Sequence, residues 1–383
     1  MQQNPTIKEM VQKLVSTPSI SSTMEQFDLS NLDVINTLAN WLEPLGFEIN
    51  ITPLESNPNK ANLVAVRGKG DGALVLSGHT DTVPMDEHLW NSNPFQITER
   101  DERWYGLGTC DMKSFFALGI EAVLPLLDRS FKHPLIFLAT ADEESTMNGA
   151  RALKAAELCN ARFALIGEPT NLHPVNQHKG IMMARLKITG TSGHSSNPDL
   201  GNNALDGTAA AIDELIKFRN EMRNQYHNEV FEVAYPTLNL GCIHGGDNPN
   251  RICDHVELAF DVRVLPEMDN EAILNAIEQR LNPRLHDLNL QCDLALLNPA
   301  VPPFKNDGDE FLSAIEKLSG YQAEPVAFAT EAPFLQALGM ETVVLGPGSI
   351  DQAHQPNEFI PLNQIEPSVE IIRNLIAKYC LDD

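Results

Sequence analysis

Residues able to bind a metal or move a proton recur where apolar runs end. "LVLSGHTDTVP" (residues 74–84) carries Leu74-Val75-Leu76 directly into Gly78, His79 and Asp81. "ATADEES" ends an apolar run with Glu143 and Glu144, and "FALIGEPT" ends another with Glu168. Asp111 lies in the glycine-punctuated loop "GLGTCDMK", and His354 in "DQAHQPNEF". Imidazoles with several carboxylates make a borderline-hard donor set suited to zinc, with cobalt or manganese as alternatives. Each element also has a plainer reading. His-x-Asp can be a turn, Asp111 an N-cap, Glu143-Glu144 a solvated loop start, and Glu168 before Pro169 a turn residue. Those plainer readings would all have to fall at the same end of one sheet.

Such a sheet is what the chain pattern predicts. Helical spacing over 6–17 and 29–45, with Gly46 as a stop, precedes the strands "FEINITPL", "NLVAVRG" and "GALVLSGH". "SFFALGIEAVLPLL" reads as a helix, "PLIFLATADEES" as a central strand, "RALKAAEL" as a helix and "FALIGEPT" as a strand. This alternation predicts a doubly wound, mostly parallel sheet, whose strand ends converge on one crevice. From about residue 180 the order becomes β-α-β-β-α-β, as in a ferredoxin-like α+β domain. The expected organisation is an α/β catalytic domain over 1–179 and 298–383, with an inserted dimerisation or lid domain over 180–297.

Composition narrows the chemistry further. The 383 residues carry a formal net charge of −25 with no basic patch, which argues against nucleic acid and against an anionic membrane surface. No apolar run reaches the length of a membrane span, and no leader pattern is evident at the N-terminus. The six cysteines are scattered without a C-x-x-C pair, which suits free thiols and a cytoplasmic location. "RGKGDG" is followed by a strand, not a helix, so it is no dinucleotide loop. "HGGD" lacks any G-x-S-x-G elbow, and Cys110 beside Asp111 reads as a small packing residue.

"SGHTDTVP", "GLGTCDMK", "ATADEES", "IGEPT", "SGHSS" and "HQPNEF", in this order along almost the whole chain, resemble the motifs of the binuclear-zinc M20 metallopeptidases and deacylases. "HKG", "YPTLNLGCIHGGDNPNRIC", "TEAPF" and "LGPGSIDQAHQP" resemble its deacetylase branch more narrowly. The resemblance implies a zinc-dependent amide hydrolase acting on a small N-acyl amino acid. Two Zn2+ per subunit are implied, with Co2+ as a substitute. His79, Asp111 and Glu168 would hold one ion, Asp111 would bridge, and Glu144 and His354 would complete the second site. Glu143 would be the general base for attack by metal-activated water, and the Asp81 carboxylate would accept the other ring N–H of His79. His194 would donate to the oxyanion from a neighbouring subunit of a homodimer. Asn250 and Arg263 would grip substrate, with a structural salt bridge as the alternative for Arg263. A cis peptide after Asp111 is also implied. Other deacylases or dipeptidases on the same scaffold, and a non-catalytic metal-binding protein, are the competing readings.

Overall fold

A computed structural model describes residues 5–382 and divides into two compact units. The first comprises the chain through Asn176, Asn306–Glu324, and the chain from Thr330 onward; the second comprises Gln177–Lys305 and Pro325–Ala329.

At the centre of the first unit are four parallel strands, in the order Leu135–Thr140, Leu74–His79, Phe163–Ile166 and Glu341–Val344. Three of them are buried along their whole length and the fourth from its second residue on, as parallel strands covered on both faces must be. Asn57–Arg67 and Glu48–Leu54 extend this sheet antiparallel from Leu135–Thr140. Helices Ile7–Val15, Leu32–Leu42, Ser114–Val123, Glu310–Ser319 and Ile365–Cys380 contribute buried apolar faces to one continuous core.

Register places the chemistry. His79 pairs with Thr140, and Ile166 pairs with both Ser77 and Val344, so these strands finish at a common edge. Packing there is close: a Cβ on Gly78 would stand 2.7 Å from Met112 Cε and 3.2 Å from Phe116 Cζ. "RALKAAEL" departs from expectation. It is a short helical turn Asn148–Arg151 followed by a 3-10 turn Ala155–Leu158. Left-handed residues bracket the stretch, Met147 on one side and Cys159 and Asn160 on the other. The alanine-rich composition favours helix, but the chain has to turn twice within these few residues.

The second unit has the strand order Thr237–Gly245, His255–Val264, Gly180–Thr189, Gln291–Leu296, all antiparallel. Helices Ala204–Gln225 and Asn270–His286 complete the ferredoxin-like pattern. Met182, Ala184, Leu186 and Ile188 alternate inward along one strand and Val256, Leu258, Phe260 and Val262 along its neighbour, forming a separate core. Among the described residues no helix is long and apolar enough to cross a membrane.

Candidate metal centre

The edge of the central sheet gathers the candidate ligands. His79 is the last residue of its strand; Glu143 and Glu144 follow Leu135–Thr140, and Glu168 follows Phe163–Ile166. Asp111 precedes helix Ser114–Val123 without capping it, since the N-cap position is Lys113. His354, with φ 58°, lies on the loop after Glu341–Val344. His79, Asp111 and Glu168 are buried, and the Glu144 side chain is 5% exposed. The solvated-loop reading of that acid therefore fails.

Asp111 stands between the two histidines. Its Oδ1 lies 2.9 Å from His79 Nε2, and its Oδ2 lies 3.5 Å from His354 Nε2. His354 Nε2 is also 2.8 Å from Glu144 Oε2, and Glu168 Oε1 is 3.8 Å from His79 Nε2. Two sets of potential ligand atoms result, His79–Glu143–Glu168 and His79–Asp111–Glu144, each within 4.8 Å. His79 is common to both, and Glu143 stands beside Glu168. The peptide Asp111–Met112 is cis.

Asp81 behaves differently from expectation. His79 Nδ1–H donates to the Asp81 backbone carbonyl at 3.0 Å, while the carboxylate stands 3.7 Å away. This contact fixes the tautomer and leaves the Nε2 lone pair for a metal. The Asp81 carboxylate instead accepts from Glu143 N–H at 3.3 Å and Glu144 N–H at 3.0 Å, anchoring the turn that bears both glutamates.

Electrostatics expose a shortage of positive charge. Burial, then the Glu168 charge, holds the Glu143 carboxyl well above the usual range. Burial and the Asp111 charge do the same to Glu168 and also raise Glu144. The hydrogen bond to Glu144 lifts His354 to about 9 against the effect of burial. Burial opposes protonation of His79, but the Asp111 hydrogen bond and the surrounding carboxylates outweigh it and raise its pKa. Asp111 goes the other way: burial would raise it, yet the two histidines hold it low. Glu144 and His354 are thus both raised, and they stand 2.8 Å apart. A divalent cation would relieve this crowding of buried acids, and two imidazoles with carboxylates are the donors it takes, so the residues fit a metal.

The other sequence candidates lie in the second unit. His194 is exposed and its Nδ1 is 2.7 Å from Ser196 Oγ. Asn250 is exposed, its carbonyl accepting from Ser195 N–H at 3.1 Å. Arg263 Nε donates to Asp261 Oδ1 at 2.9 Å in a half-buried same-strand ion pair. Cys110 is a buried free thiol whose pKa burial pushes well up, in keeping with a packing role.

Among the buried acids that the sequence pattern did not single out are Glu358 and Glu331. Glu358 accepts three backbone N–H groups from the loop bearing Asp111. Its position four residues after His354, inside "HQPNEF", was the available signal. Glu331, in "TEAPF", is 1% exposed, and burial pushes its carboxyl up to about 7.

The model of peptidase family M20/M25/M40 matches residues 75–378. The chain belongs to that family. An acetylornithine deacetylase of Photorhabdus laumondii is 46% identical over 380 residues, covering 99% of this chain and 98% of that protein. One of Pasteurella multocida is 44% identical and covers 99% and 100%. Among solved structures, an M20 metallo-carboxypeptidase of Sulfolobus solfataricus has a TM-score of 0.75 at 18% identity, covering 96% of this chain and 98% of that one. A dinuclear-metal-binding M20 peptidase of Bacillus subtilis has a TM-score of 0.67 at 17% identity, covering 97% and 98%. At these identities the structures establish the fold. The family members close in sequence carry the functional likeness.

Proposed function

We propose that this M20 hydrolase removes acetate from N2-acetyl-L-ornithine, giving L-ornithine for arginine synthesis. The observation carrying the reaction class is Asp111, with one oxygen toward His79 and the other toward His354 in a cluster short of cations. Substrate identity is supported by relatives of that name at 43–46% identity along nearly the full chain.

His79, Asp111, Glu144, Glu168 and His354 would hold two Zn2+, with Asp111 shared; when bound, the ions supply Lewis acidity toward water and the acyl oxygen. Glu143 accepts the proton of the attacking water and returns it to the α-nitrogen as the acyl C–N bond breaks. Asp81 keeps that carboxylate aimed by gripping the backbone N–H groups of Glu143 and Glu144. His194, acting from the second copy in a homodimer, donates to the developing oxyanion. Arg263 pairs with the substrate α-carboxylate, held in place by Asp261, and Asn250 adds a hydrogen bond. The edge strand Thr237–Gly245, with Ile243 half exposed, supports self-association.

The test is acetate release from N2-acetyl-L-ornithine by zinc-reconstituted protein, run beside N-succinyl-diaminopimelate and N-acetylmethionine with a chelator control. Chelator-sensitive turnover that is strongest on acetylornithine is expected. Preference for another acyl-amino acid removes the substrate assignment. Zinc binding without any turnover favours a metal-binding protein.

A further inference from the structure

We infer that Lys60 is a positioning residue for the turn that carries Glu143 and Glu144, acting through Asp142. The inference rests on the roles proposed above for those two glutamates.

Lys60 lies on strand Asn57–Arg67 and is only 1% exposed. Its Nζ donates to Asp28 Oδ1 at 2.7 Å and to Asp142 Oδ1 at 2.8 Å. A buried ammonium is costly unless paired, so a lysine is a poor choice for filling space here. Asp142 immediately precedes Glu143 and has φ 60°, in the left-handed region that side chains rarely adopt. Its carboxylate also accepts from Ser21 Oγ at 2.9 Å, and its carbonyl accepts from Thr146 N–H at 3.1 Å and Met147 N–H at 2.6 Å.

Asn62, two residues along the same strand and therefore on the same face, grips the rest of the segment. Its Oδ1 accepts from Ala141 N–H at 3.2 Å, and its Nδ2 donates to the Gly149 carbonyl at 2.8 Å. The clasp is narrow: a Cβ on Gly149 would stand 2.4 Å from the Ala141 carbonyl oxygen. Lys60 and Asn62 thus hold the ends of the segment 141–149 and its Asp142, while Asp81 holds the Glu143 and Glu144 N–H groups. The directions of the two glutamate side chains are set between these grips. A cation on Asp142 also offsets one charge beside a cluster already crowded with acids.

A purely structural ion pair would cost stability alone; a positioning residue also changes turnover and metal retention in folded protein. Lys60→Met keeps length and removes charge, while Lys60→Arg keeps charge. With zinc-loaded protein on N2-acetyl-L-ornithine, K60M is expected to lower kcat by about ten- to a hundredfold, the scale of an ångström-sized misplacement, with KM changed less than about twofold. Zinc titration of the stripped protein should show at least one ion bound about tenfold more weakly. K60R should recover much of both losses, and adding Asp142→Asn to K60M should cost little more, because both changes break one contact.

If K60M does not fold, Asp142→Asn alone, which leaves Lys60 paired with Asp28, is expected to show the same two losses. Wild-type values of kcat and zinc affinity in whichever folded variant is measured overturn the proposal. Wild-type protein is measured first. If it binds zinc but turns over none of the substrates, the substrate assignment falls and the zinc titration still decides on Lys60. If it binds no zinc, both readings fall.

Discussion

The Glu358 carboxylate accepts the backbone N–H of Asp111 at 3.0 Å. The same oxygen accepts from Cys110 N–H at 2.7 Å, and the other takes Gly108 N–H at 3.0 Å, where the chain has φ 80°. One buried acid therefore shapes the loop that stands Asp111 between His79 and His354. Because Glu358 and His354 share a short segment, the imidazole on that loop and the anchor of the Asp111 loop are placed together. Burial pushes the Glu358 carboxyl up to about 8, while the three N–H donors favour its ionised form.

Glu358→Gln preserves shape but points amide hydrogens at N–H donors. The expected cost is about 1–3 kcal/mol of stability from donors left unsatisfied. Zinc binding should weaken as the Asp111 loop relaxes. Denaturant melts and a zinc titration check both, and unchanged values would show that the loop holds its shape without the acid.

Glu143→Gln separates a base from a ligand. As base, its loss should lower kcat by at least about a hundredfold, the scale of general-base catalysis, while the protein still binds two zinc ions per chain. Because Glu143 stands beside His79 and Glu168 within one potential ligand set, a drop to one ion would assign it to coordination instead. Metal analysis of dialysed protein beside the rate decides.

The residues whose types name their chemistry were legible as candidates: His79, Glu143, Glu144 and Glu168 stand where apolar runs end, Asp111 and His354 lie in loops, and the fold gathers all six. Residues acting through the backbone were not. Lys60 and Asn62 sit in "PNKANL", which reads as an ordinary strand start, and their work depends on a segment some eighty residues away. The resemblance implied a contact between the Asp81 carboxylate and the His79 ring, yet the Asp81 carbonyl meets His79 and its carboxylate meets the glutamate turn. The role proposed for His194 depends on assembly, and those proposed for Asn250 and Arg263 on a substrate, neither of which local spacing encodes.

Zinc binding should release protons. In the metal-free cluster the Glu144 hydrogen bond lifts His354 to about 9, and Asp111 with the neighbouring carboxylates raises His79, so protons favour the ring nitrogens a metal would take. A cation must displace them, and affinity should therefore fall as pH falls. Calorimetric titration at pH 7 in two buffers of different ionisation enthalpy measures the release directly. Identical heats in both buffers would mean that the donors are already deprotonated.

His178 should make the protein acid-sensitive through the second unit. Its ring is fully buried, its Nδ1 donates to the Lys179 carbonyl at 2.9 Å, and it packs on Phe304 with ring centroids 5.4 Å apart. Burial lowers its pKa to about 4 from the ordinary 6.5. Above 6.5 the ring is neutral whether folded or unfolded, and it contributes no pH dependence. Between 6.5 and 4 the unfolded chain takes up a proton that the folded protein excludes, so stability falls as pH falls. The slope is about 1.4 kcal/mol per pH unit, or roughly 3 kcal/mol across the window. Comparing wild type with His178→Phe by denaturant melts from pH 7 to 4.5 removes the contribution of every other titrating group. The wild type should lose stability relative to the variant as pH drops, and parallel curves would mean that the folded protein protonates this ring after all.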